Sequence, residues 1–100
     1  MYNKILLLAS VTLSAGRLEQ NAPNPFNAST TIKYYLPVNN GNVYINFYNN
    51  NGALLKSVKL DGTGTGSITI NARDLSSGLY HYTLIIDGKP VDSKSMIAGK

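Results

Sequence analysis

An antiparallel β-sandwich is the fold class this sequence predicts, and three observations predict it. Apolar and polar residues alternate over short runs, Asn-Gly and Asp-Gly pairs punctuate those runs, and the composition favours strand and turn formers over helix formers. The chain has 100 residues with seven Tyr, nine Gly and four Pro, and its 43% hydrophobic content supplies apolar surface for one core. Trp and Cys are both absent, so neither a disulfide framework nor a thiolate metal site can hold the domain together. Packing has to do it.

Met1 to Gly16 places Lys4 ahead of an apolar stretch from Ile5 to Leu13. Two readings stay open there: a short secretory signal, or an edge strand or linker. The stretch is too short to span a bilayer as a helix. The domain organisation expected is therefore a signal-like, linker or edge segment over residues 1–17 and one β-sandwich over residues 18–100. Pro23 and Pro25 then remove two backbone donors and bias their neighbours towards extended geometry, which makes a fixed, non-helical entry.

From Ser29 to Leu36 the alternation puts Thr30, Ile32, Tyr34 and Leu36 on one face. Val43, Ile45 and Phe47 repeat the pattern, with Tyr44 and Tyr48 facing away. Asn49 to Gly52 forms a turn that folds the next run, Ala53 to Leu60, back as a hairpin, and Leu54, Val58 and Leu60 are expected to face inward. Asp61 to Gly66 reads as a flexible connection before a short strand carrying Ile68 and Ile70. Leu75 is expected to plug the core where the chain turns a corner. Gly78 to Asp87, rich in Tyr, Leu and Ile, is the expected central strand, and Asp87-Gly88 turns into a last strand from Pro90 to about Ala98. Six strands follow from Ser29 onward, with a seventh if the segment before the prolines pairs. The expected core is Ile32, Tyr34, Val43, Ile45, Phe47, Val58, Ile68, Ile70, Leu75 and Leu84.

The formal charge of +4 does not mark a nucleic-acid partner, because the nine basic residues are dispersed along the chain. Chemistry is also sparse. His81 is the single histidine and stands between Tyr80 and Tyr82, which suits a cross-strand partner better than a ligand or a triad member. The acidic residues Glu19, Asp61, Asp74, Asp87 and Asp92 fall on separate turns, at no spacing that builds a carboxylate pair or a calcium loop. Gly62 to Gly66 lacks the following helix that a phosphate cradle requires. Asn27-Ala28-Ser29 matches a glycosylation acceptor that matters only in a eukaryotic secretory pathway. No catalytic residue and no cofactor is expected.

Three segments occur together and in order: Leu18-Glu19-Gln20-Asn21-Ala22-Pro23-Asn24-Pro25-Phe26-Asn27, Leu75-Ser76-Ser77-Gly78-Leu79-Tyr80, and Lys94-Ser95-Met96-Ile97. The combination resembles the type A C-terminal sorting domain of proteins exported by the type IX secretion system of Bacteroidetes-type bacteria. The resemblance implies a seven-stranded Ig-like sandwich at the end of a cargo protein. It also implies recognition by the outer-membrane translocon, a cell-surface sortase as a further partner, and a destination at the cell surface or in the medium.

Beside that resemblance, Pro23, Asn24, Pro25, Phe26, Gly78 and Tyr80 read as residues that maintain the fold. Phe26 is expected to seal one end, Gly78 to give backbone freedom at the corner, and Tyr80 to bury its ring and send its hydroxyl to a backbone partner. Lys94, Met96 and Lys100 are the expected receptor contacts, since a terminal strand with spaced lysines offers an edge for strand addition together with exposed charge. The competing function is a structural or adhesive Ig-like module, or a carbohydrate-binding accessory one. For sugar binding the only candidate aromatics are Tyr35, Tyr44 and Tyr48.

Overall fold

A computed structural model describes residues 16–38 and 41–99. Within them lie strands β1 (Arg17–Leu18), β2 (Ser29–Leu36), β3 (Val43–Asn49), β4 (Leu54–Leu60), β5 (Gly64–Asn71), β6 (Gly78–Ile86) and β7 (Lys89–Ala98), with one 3₁₀ turn at Ala72–Asp74. They form two antiparallel sheets, ordered β1-β2-β5 and β4-β3-β6-β7, packed face to face as an open sandwich. The expected fold class is observed. The seventh strand is Arg17–Leu18, whereas Ile5 to Leu13 lies outside the described residues.

Alternation dictates the two best-patterned strands. Ile32 and Leu36 of β2, and Val43, Ile45 and Phe47 of β3, are all buried, and Leu84 of β6 meets Ile45 across the sheet. Tyr34, Val58, Ile68, Ile70 and Leu75 from the expected core are half-buried and pack against it. Tyr82, which had no assigned face, is fully buried at the centre with its ring 6.2 Å from that of Phe47. Both hairpins form where the turn residues place them. Gly52 donates to the Asn49 carbonyl at 3.0 Å, and Asp87 and Gly88 both adopt positive φ, as a two-residue type I′ turn requires.

Two expectations need correcting. Leu54 does not face inward; it is 55% exposed. A bulge intervenes between Phe47/Lys56 and Tyr48/Leu54 in the β3–β4 ladder, and one extra residue reverses the faces of those beyond it. The Gly-rich stretch is also less of a linker than expected, because β5 already begins at Gly64. Gly66 sits opposite Tyr34, and a Cβ there would fall 2.5 Å from the Tyr34 hydroxyl oxygen. The tyrosine ring therefore fills the space that a side chain on β5 would otherwise occupy, and only glycine permits that approach.

Candidate recognition site

Between β1 and β2 the chain makes a strap that climbs beside β7 in the same direction. Its contacts follow one another along the strand. The Leu18 amide donates to the Asp92 carboxylate at 2.7 Å, and the Gln20 side-chain amide donates to the Ser95 carbonyl at 2.5 Å. Higher up, the Ile97 amide donates to the Asn24 side-chain oxygen at 2.9 Å. Phe26 forms a parallel bridge with Ala98, donating to the Ile97 carbonyl at 3.0 Å and accepting from the Gly99 amide at 2.8 Å.

These partners meet β7 on the side away from β6, where an edge strand would otherwise present its backbone. The upper half of that edge is thus already paired. Strand addition there, the mode expected from the sequence, would have to displace the strap.

Beneath it the strap is tied to the core by a tyrosine and an asparagine. The Tyr82 hydroxyl donates to the Glu19 carbonyl and accepts from the Asn21 amide, each at 2.8 Å. Burial pushes this phenol above its ordinary range; the Asn21 hydrogen bond opposes the shift and the charge of Asp92 adds to it. The Asn21 side chain donates to Thr30 Oγ1 and to the Pro23 carbonyl, and Thr30 donates to the same carbonyl. Asn21 and Thr30 are buried, and among the described residues no buried side-chain nitrogen or oxygen lacks a partner. Phe26 is 2% exposed and closes this end of the sandwich, as expected. Pro23, Asn24 and Pro25 are exposed, and the peptide bonds preceding both prolines are cis.

Gly78 and Tyr80 also occupy the roles expected of them. Gly78 has φ of 153°, a region L side chains rarely adopt, although a Cβ there would meet nothing within 4 Å. Backbone conformation, not space, selects glycine. Tyr80 is buried and its hydroxyl donates to the Ser76 carbonyl at 2.6 Å, the arrangement of a tyrosine corner.

Of the expected receptor contacts, Met96 is the one the structure removes from the surface. It is 1% exposed, facing the core opposite Tyr80, so any contribution it makes passes through packing. Lys94 has the same parity but is half-buried near the sheet margin, and Lys100 lies outside the described residues. The sugar-binding candidates do not form a line either. Tyr35 is on β2 under the Arg17 guanidinium, 4.6 Å from its ring centre, whereas Tyr44 and Tyr48 are on β3 in the other sheet.

His81 pairs across the ladder with Ser95, its Nδ1 3.0 Å from Ser95 Oγ. Among the described residues no three His, Cys, Asp or Glu side chains gather where a metal could sit. On the opposite side of the molecule β4 and β5 flank a groove of about 320 Å³ lined by Phe47, Leu55, Ile70, Leu75, Tyr80 and Met96. It is an opening between the sheets, mostly apolar in its lining.

No curated protein matches the chain significantly. Among solved structures, a superoxide reductase (neelaredoxin) variant from Ignicoccus hospitalis is similar at 11% identity with a TM-score of 0.48, covering 89% of this chain and 84% of that one. The sequence profile described as "Secretion system C-terminal sorting domain" matches residues 22–98, which begin inside the strap and end where β7 meets it. With most of its length inside that match, the chain belongs to the family of type IX secretion C-terminal sorting domains.

Proposed function

We propose that this domain is a non-catalytic address, recognised by the type IX outer-membrane translocon, that directs the protein carrying it to the cell surface or the medium. The observation that carries this reading is the family match over residues 22–98, which spans the sandwich from the strap to the end of β7. A translocon serving unrelated cargos can read only what they share, and the shared part is a folded domain. A cell-surface sortase is the second partner, acting after passage. The reading needs no cofactor, and none of the residues discussed above is assigned a chemical step. Lys94 remains the candidate for a charged contact. The sugar-binding alternative is weakened by the separation of Tyr35 from Tyr44 and Tyr48 on different sheets.

The test is an export assay in a bacterium with a type IX system, with the full chain fused behind a signal peptide and a soluble reporter. The fusion is expected at the surface or in the medium, and the reporter alone in the periplasm. Deleting Lys94 to Lys100 is a poor control, because it removes the buried Met96 and Ala98 as well as any contact surface. A fusion that stays periplasmic while circular dichroism shows a folded sandwich would overturn the reading.

A further inference from the structure

We propose that the surface read on this domain is the closed composite of the strap and the end of β7, and that the strap stays docked while it is read. This rests on the sorting reading above and goes further by naming the surface. Two regions of the family pattern that lie far apart in sequence meet there: Asn24 and Ile97 are 73 residues apart and share a hydrogen bond, and Phe26 pairs with Ala98. The ends of the family match, at residues 22 and 98, lie within the same construction. A partner approaching the free edge at the end of β7 meets the strap.

Docking is favoured over release by what release would expose. Phe26 would leave the core, and the Ile97 amide and carbonyl and the Ser95 carbonyl would lose their partners together. Closed, the two segments frame a shallow concavity of about 400 Å³ lined by Pro23, Pro25, Phe26, Asn27 and Gly99. The exposed proline rings are rigid and apolar and offer no backbone donor, so the fitting partner is a translocon loop presenting an aromatic or aliphatic side chain. Such a partner docks by side chains and not by adding a strand.

A reversible lock tests this directly. A Cβ built on Gly99 lies 4.0 Å from that of Pro25, within the span of a disulfide, and the natural chain has no cysteine to compete. Pro25→Cys/Gly99→Cys fusions should therefore oxidise; both forms lack one proline ring of the concavity and are exported less than the unmodified fusion, but the oxidised and reduced forms stay within about twofold of each other. Export of the reduced form alone would overturn the proposal, because it would mean that the strap must lift. Failure of the folded pair to oxidise would overturn it too, since the tail would then not be held against Pro25.

If neither form of the pair is exported, Asn24→Ala decides. It removes one link of the clasp, the hydrogen bond to the Ile97 amide, without touching the prolines, and a fall of about threefold or more in export at unchanged circular dichroism sustains the proposal, whereas wild-type export overturns it. The unmodified fusion separates the two levels of inference. Its own failure to leave the periplasm while folded counts against the sorting function, not against the choice of surface.

Discussion

The two sides of this sandwich protect their edges by opposite means. On the β7 side, a segment from the other end of the sequence supplies matched donors and acceptors, and Phe26 fills the gap between the sheets. On the β4 and β5 side no strand crosses among the described residues, and the groove between the sheets is open there. There Lys56 and Lys59 put charge along β4, while Leu54 and Leu55 remain 55% and 48% exposed. Lysines on an edge discourage unwanted pairing at little structural cost. The comparison teaches that specific pairing is concentrated on the side where the family's motif lies, and that generic protection suffices on the other.

The largest way to break this asymmetry is Phe26→Ala. It should cost about 3–5 kcal/mol, a large share of the stability of so small a domain, because it removes a buried ring and the anchor of the strap. Chemical denaturation measures it, and a loss below about 1 kcal/mol would place the ring outside the core.

Tyr82→Phe should follow, at about 1–3 kcal/mol, since the Glu19 carbonyl and the Asn21 amide lose their shared partner inside the protein. The same variant has a pH signature. The folded state holds this phenol neutral above its ordinary range, so its stabilisation is complete at neutral pH and is lost as the pH climbs through that raised value. Melting temperatures followed into alkali should fall less steeply for Tyr82→Phe than for the wild type; equal slopes would mean that the hydroxyl is not buried as described.

The smallest effect belongs to the open side. Leu54→Lys should change stability by no more than about 0.5 kcal/mol, because an exposed edge residue is being replaced by another. A loss several times larger would show that the open side is packed more tightly than the exposed leucines imply.

Much of the fold was legible in the sequence, and for local reasons. The alternation in β2 and β3 and the Asn-Gly and Asp-Gly turns are properties of a few neighbouring residues, so they survive being read without coordinates. The face of Met96 was harder, because Met96 and Ile97 are adjacent and both apolar, which leaves the parity of β7 unresolved until pairing with β6 sets it. One signal was available: Met96 and Ala98 share a face, and Ser93, Ser95 and Ile97 share the other.

The bulge that turns Leu54 outward has no comparable mark in the sequence. Nor does the strap. The proline-rich entry could be read as rigid and Phe26 as a plug, but nothing local to Gln20 or Asn24 says that their side chains reach Ser95 and Ile97. The composite surface therefore became visible only with the tertiary structure.

The course of the strap also has a mechanical consequence. Leu18 to Phe26 runs alongside β7 in the same direction, joined to it by contacts with Asp92, Ser95, Ile97 and Gly99 that bridge the gap between them. If tension were applied between Gly16 and Gly99, it would slide the two segments past each other and load these links together in shear, instead of opening them one at a time from an end. The sandwich is thus built as a clamp against being drawn out lengthwise, a property that would serve the sorting role proposed above.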